Sequence, residues 1–187
     1  MPILIASLRL VAASMLVCVA GYTAAILGVA QLFPETARGT VIAAADGKAI
    51  GSRLIAQDFT EPRYFWPRPS AAGDNGYDAT SAAGSNKSPT SADLKDRARA
   101  LIARYGATPE HPLPADLAAA SGGGLDPHIS LQAARYQAGR VAEARGLPLS
   151  QVEALVDRHA FSPGGFLTPE RLVNVLEINL ALDQLSS

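Results

Sequence analysis

The chain has 187 residues, 48% of them hydrophobic, and its 16 basic and 17 acidic side chains leave a formal net charge of −1. That balance excludes a general binder of nucleic acid or of anionic lipid, which carries a strong excess of Lys and Arg. A single cysteine, Cys18, excludes a disulfide framework within the chain.

From Leu10 to Phe33 the sequence LVAASMLVCVAGYTAAILGVAQLF contains no charged residue. As a helix it would span about 36 Å, enough for a hydrocarbon core of about 30 Å. A cleaved signal peptide has a shorter apolar core that ends at a small-x-small site, so the segment reads as a retained anchor. Arg9 and the terminal amine flank one end and Glu35 and Arg38 the other. The positive-inside rule then predicts a cytoplasmic 1–9, a transmembrane helix over 10–33 and an extracytoplasmic domain over 34–187. Ala20, Ala24 and Gly28 recur every four residues, a smooth stripe against which a neighbouring membrane helix can pack.

Beyond the span, Thr40 to Gln57 reads as two strands around Asp46-Gly47, a dipeptide suited to a tight hairpin turn. The next segment, FTEPRYFWPRPSAAGDNGYDATSAAGSNKSP, has prolines at 62, 67, 69 and 89 that exclude a helix or a central strand. Its Tyr64, Phe65, Trp66 and Tyr77 are the wrong composition for disorder, so an ordered surface is expected. A helix is predicted from Ser91 to Gly106, with Leu94, Ala98, Leu101 and Tyr105 on one face and Thr90 with Asp93 as a capping arrangement. A second helix is predicted from Ile129 to Gly146. A third should begin at Ser150, capped with Glu153. The last element has two possible starts, Thr168-Pro169 or Asn174 with Glu177, and is apolar on more than one side, which predicts burial against the hairpin. The fold class expected is α+β: one N-terminal membrane helix followed by one extracytoplasmic α+β domain.

The stretch AASGGGLDPHIS, 119–130, carries the densest set of candidate residues. Gly122, Gly123 and Gly124 allow a sharp bend, and Asp126 before Pro127 is positioned to cap a helix whose first turn holds His128 and Ile129. A phosphate site is disfavoured because Asp126 places negative charge at that helix start. Gly47-Lys48 is followed by Ala49, so there is no Walker A motif. His111 and His159 stand at no ligand spacing from Asp126 and His128, which argues against a metal. Ser70, Ser85 and Ser121 sit near glycines but outside Gly-x-Ser-x-Gly. A membrane-anchored extracytoplasmic hydrolase using Ser121, Asp126 and His128 stays open as the alternative function.

Several stretches together resemble one family. GSRLIAQDFTEPRYFWPRPSAAG, AGSNKSPT, PADLAAASGGGLDPHISLQAARYQAGRVAEARGL and RLVNVLEINLALD are similar, in order and over nearly the whole chain, to the KdpC family, the C subunit of the Kdp potassium-transporting P-type ATPase. That family usually reads Thr-Ala-Ser-Gly-Ser-Gly-Leu-Asp-Pro-His, where this chain has Ala119, Ala120 and Gly123. It also tends to carry Pro near the position of Gly139. The resemblance implies a non-catalytic accessory subunit of the inner membrane, in a complex for high-affinity potassium uptake. Its implied partners are a channel-like potassium-binding subunit, a P-type catalytic subunit and a small single-span subunit, within the lipid bilayer and without nucleic acid. It implies no cofactor of its own, ATP and Mg being bound by the catalytic subunit. The family's C subunit is described as a catalytic chaperone that assists ATP binding there. On that reading the outer domain caps the channel-like subunit. The docking candidates are Tyr64, Trp66, Arg68, Gly122, Gly123, Gly124, Asp126 and His128, with Ala20, Ala24 and Gly28 packing in the membrane.

Overall fold

The computed structural model describes residues 1–44 and 47–185, Phe166 by its backbone alone. The chain divides into two compact units, Met1–Val41 and Ile42–Ser187.

The first unit is dominated by one continuous helix of 29 residues, Pro2–Ala30, whose most apolar window has a mean hydropathy of 2.3. It is long and apolar enough to cross a membrane, at about 1.5 Å per residue. It runs as α1 (Pro2–Met15), a π-helical stretch (Leu16–Gly21) and α2 (Tyr22–Ala30). The helix therefore starts eight residues before the expected span and ends three residues short of Phe33, because Pro2 serves as N1 while Leu32 and Phe33 bond back into a closing turn. Arg9 lies inside the helix. Ala24 and Gly28 stand one turn apart in α2, whereas Ala20 belongs to the wider π-helical turn. A short helix, α3 (Pro34–Ala37), follows.

In the second unit the expected hairpin is present. β1 (Val41–Ala43) and β2 (Ala49–Ser52) form a two-stranded sheet. Of the turn residues named from the sequence, Asp46 lies outside the described residues, and Gly47 has a φ of 81°. After a long irregular segment comes α4 (Ala92–Tyr105), stopped by Gly106 in the left-handed conformation. Leu94, Ala98, Leu101 and Tyr105 share its half-buried face as expected. The capping arrangement differs. Ser91 is the N-cap, Thr90 bonds to Ser88, and the Asp93 carboxylate is taken by Lys87, whose full charge outcompetes a backbone amide. A one-turn helix not foreseen from sequence, α5 (Ala115–Ala118), buries Leu117.

The core sheet has strand order β3 (His128–Ser130), β5 (Leu172–Asn174), β4 (Ala160–Phe161), all neighbours antiparallel. Ile129 faces Val173, and both are fully buried. Around the sheet pack α6 (Leu131–Arg145), α7 (Leu149–His159) and α8 (Val175–Leu185). α6 turns Ala133, Ala134, Gln137, Ala138, Val141 and Ala142 inward, small side chains that admit α7 closely. A single 3₁₀ turn, Gly165–Leu167, lies between β4 and β5.

Three boundaries correct the sequence reading. His128 and Ile129 do not form a helical first turn, and Asp126 is not a helix N-cap. The Pro127 carbonyl accepts from Val175 and the Leu131 amide donates to Arg171, so this stretch completes the sheet. Ser130 caps α6 instead, accepting from the Ala133 amide at 3.0 Å. The Ser150–Glu153 box is also absent: α7 starts at Leu149 after Pro148, which fixes the entry angle and offers its carbonyl to Gln151. Of the two starts for the last helix, the structure takes Asn174, whose Oδ1 accepts from the Glu177 amide at 3.1 Å, while Leu172–Asn174 becomes the central strand. α8 packs mainly on α7 and β5. Against the hairpin it leaves a cleft of about 340 Å³ lined by Ile42, Ile50 and Leu180 rather than the packed seam expected.

Candidate functional site: the glycine loop and the aromatic segment

The proline-rich segment is ordered as expected, but side chains hold it in place rather than a sheet. Phe65, Trp66 and Pro67 are buried. The Phe65 amide donates to Asn179 Oδ1 at 2.8 Å, and Asn179 Nδ2 donates to the Phe65 carbonyl at 3.0 Å. One residue on, Gln137 Oε1 and Nε2 make the same pair of bonds to Trp66, at 2.8 and 3.0 Å. Two buried carboxamides thus satisfy backbone that proline keeps out of a ladder.

The docking candidates fall into three places. Tyr64 lies over the C-terminal helix, its hydroxyl donating to Asp183 Oδ2 at 3.1 Å. Burial, and then Asp183, push that phenol above its usual range. Arg145, whose side chain is only 4% exposed, pairs with the same Asp183 at 2.8 Å. Trp66 is only 6% exposed. Its Nε1 donates to the Glu61 carbonyl at 3.0 Å, and the guanidiniums of Arg140 and Arg104 lie 3.7 and 4.1 Å from its ring centroid. The indole is therefore part of the body's interior, and it is Arg104 that presents an exposed group there. Burial brings Arg140 down to about 10, still charged at neutral pH.

The third place brings Arg68, Asp126 and His128 together beside the glycines. Arg68 Nη1 reaches Asp126 Oδ2 at 3.1 Å, and His128 Nδ1 reaches Asp126 Oδ1 at 3.2 Å. The His128 amide donates to the same Oδ1 at 3.0 Å. Partial burial alone would raise the Asp126 carboxyl. The hydrogen bonds from His128, with the His128 and Arg68 charges, outweigh burial and hold it below its usual range. Asp126 is thus an internal clasp between the aromatic segment and β3.

Of the three glycines, one is required by geometry. Gly124 has a φ of 74°, and a Cβ there would meet the Ala83 carbonyl at 2.6 Å and the Ala72 Cβ at 2.8 Å. Its carbonyl accepts from Ser70 Oγ at 2.6 Å, tying the loop to the aromatic segment. Gly122 and Gly123 are exposed with open space around them. The Gly122 carbonyl lies against Gly84, where a Cβ would approach it to 2.6 Å. The loop's outer surface is therefore bare backbone.

A hydrolytic use of Ser121 would need its hydroxyl against an imidazole base. Ser121 is 3% exposed, and its Oγ accepts from the Asp126 amide at 3.3 Å. Among the described residues no hydrogen bond joins it to His128, whose ring meets Asp126 and the Phe161 edge. Gln137, Asn179, Arg140 and Arg145 were missed from sequence, while Ser70, named there among the serines near glycines, makes loop hydrogen bonds. For Gln137 and Asn179 a signal existed, since each is a lone polar residue at a core position of an otherwise apolar helix face.

The family profile described as "KdpC: K+-transporting ATPase, c chain" matches residues 4–184. The chain is 67% identical over 184 residues to the potassium-transporting ATPase KdpC subunit of Parvibaculum lavamentivorans, covering 98% of this chain and 97% of that one. It is 46% identical over 169 residues to the KdpC subunit of Dechloromonas aromatica, covering 88% of each. With the subunit of Methylococcus capsulatus the identity is 51% over 161 residues, 82% of each chain. The chain belongs to the KdpC family, the c chain of the K+-transporting ATPase.

Proposed function

We propose that this chain is an accessory, non-catalytic subunit of a high-affinity potassium-uptake ATPase. In this reading it is anchored in the inner membrane by its N-terminal helix, with the N-terminus cytoplasmic and the α+β domain outside. Its domain docks on the channel-like potassium-binding subunit through the face carrying the bare glycine loop and the aromatic segment. ATP and Mg are bound by the P-type catalytic subunit. Any effect on ATP affinity passes indirectly, by stabilising one of two arrangements of a partner.

The observation that supports this best is the helix Pro2–Ala30, whose most apolar window has none of its residues buried within the chain. An apolar helix with no internal packing needs lipid and neighbouring helices to cover it. Purification of the tagged chain from detergent tests the reading. Two larger membrane proteins should accompany it, and K+-stimulated ATP hydrolysis should appear only in their company. Recovery of the chain alone, or protection of its C-terminal part from protease in intact spheroplasts, would refute it. An unchanged KM for ATP in a complex lacking the chain would remove the chaperone role alone.

A further inference from the structure

α4 distributes its charges unevenly. Its acids are spent locally, Asp93 on Lys87 and Asp96 on Arg99. Arg97 and Arg104 stand seven residues apart and so lie on one face of the helix. Among the described residues neither has a carboxylate partner, and the half-buried Arg97 leaves its Nε without any hydrogen bond.

Arg104 is not a free-swinging side chain. Its guanidinium lies over Trp66 at 4.1 Å, and that of Arg140 lies over the same ring at 3.7 Å. Both arginines therefore sit directly on the one ring. Arg140 spends its donors on neutral oxygens, the Pro62 and Tyr64 carbonyls and Gln137 Oε1. Nearby acids are engaged elsewhere: Glu61 with Arg63, and Asp116 with the Ser130 amide. Asp58 influences Tyr77 but pairs with neither arginine. Among the described residues, one indole thus holds two uncompensated cations. The outer one, Arg104, is held on the ring with its N–H donors unspent among the described residues, and a guanidinium so placed can receive a carboxylate.

The surroundings fit a protein rather than a lone anion. Trp66 continues edge-on into Tyr105, then Tyr136, which stacks on His111 at 4.3 Å and 6°. Along α4 lies an apolar cleft of about 440 Å³ lined by Ala98, Ile102, Pro109 and Leu113, with Ile102 47% exposed. A headgroup or phosphate needs only the charge, whereas an exposed arginine set on a run of aromatic rings is the composition of protein hot spots.

We infer that Arg104, laid on Trp66 and backed by Arg140, grips a carboxylate in an acidic segment of a partner subunit. This depends on the assembly reading above. The test uses the full tagged chain, co-expressed with its partners and purified in uncharged detergent, as Arg104→Glu, Arg104→Lys and Arg104→Met. Recovery of partners should fall about tenfold or more for Glu, less for Lys, with Met between them, and wild-type recovery should fall as salt shortens the Debye length from about 10 Å to 3 Å. Met still covers the indole, so its urea midpoint should match wild type; a lowered midpoint would assign Arg104 to the fold and overturn the docking role. Wild-type recovery for Glu and Met would also overturn it. Dependence on Arg104 that appears only when phosphatidylglycerol is added would make the anion a headgroup, against this inference. A wild-type chain with no partners at all would instead defeat the assembly reading.

Discussion

Asn179 and Phe65, 114 residues apart, hold each other by two hydrogen bonds, with Asn179 Oδ1 accepting from the Phe65 amide and Nδ2 donating to its carbonyl. Gln137 does the same for Trp66. These two clasps attach the aromatic segment to α8 and α6. Asn179→Leu or Gln137→Leu should each destabilise the chain by about 2–4 kcal/mol, because a buried N–H and C=O lose their partners together. Urea unfolding of the full chain in detergent measures this; a loss under about 0.5 kcal/mol would show that water replaces the amide.

Trp66 is an interior residue, so its truncation acts through folding. Trp66→Ala should cost about 3–5 kcal/mol, and Trp66→Phe clearly less, since a ring remains for the two arginines to pack on. Partner recovery should track stability across the two variants. Loss of partners in Trp66→Ala at an unchanged unfolding midpoint would contradict this.

The triple glycine divides. Gly124→Ala meets the Ala83 carbonyl and requires a positive φ, and should destabilise by about 1–3 kcal/mol. Gly123→Ala enters open space at an ordinary φ and should be neutral or stabilising by up to about 1 kcal/mol. Equal effects in paired melting curves would contradict the assignment.

Asp126 gives a pH signature. Its carboxyl is held below the ordinary value near 3.8 in the folded chain, so its contribution is fully present above that value. The contribution is lost as pH falls through the depressed folded value, when the native state too becomes protonated. Between pH 5 and 3 the urea midpoint of wild type should therefore fall more steeply than that of Asp126→Asn. Parallel profiles would remove Asp126 from the clasp.

Gly139 lies in the middle of α6, exposed and with nothing within 4 Å of an added Cβ. Gly139→Ala should raise stability by about 0.5–1 kcal/mol through helix propensity alone. A lowered melting temperature would mean that a contact forms on that face.

Elements whose signals are local were legible in the sequence. The apolar helix, α4 with its Gly106 stop and the Gly146 end of α6 follow from periodicity and from backbone freedom, which a few neighbouring residues decide. The glycine loop was legible as a bend, but its roles were not. Asp126 carries the residues of a helix cap, yet β5 supplies backbone partners for 128–130 and turns that first turn into a strand. The cap then passes to Ser130.

What the sequence by itself determined is the class of the molecule: an apolar anchor, an α+β body, and motifs shared with one family along almost the whole chain. Only the tertiary structure decided that Trp66 faces inward, that Gln137 and Asn179 replace a sheet edge, and that Arg104 lies exposed on an indole with no counter-charge among the described residues. Those facts depend on which distant segments meet. Local sequence sets a segment's own preferences, but the hydrogen bonds and ion pairs left over are settled only when residues more than 70 positions apart come into contact.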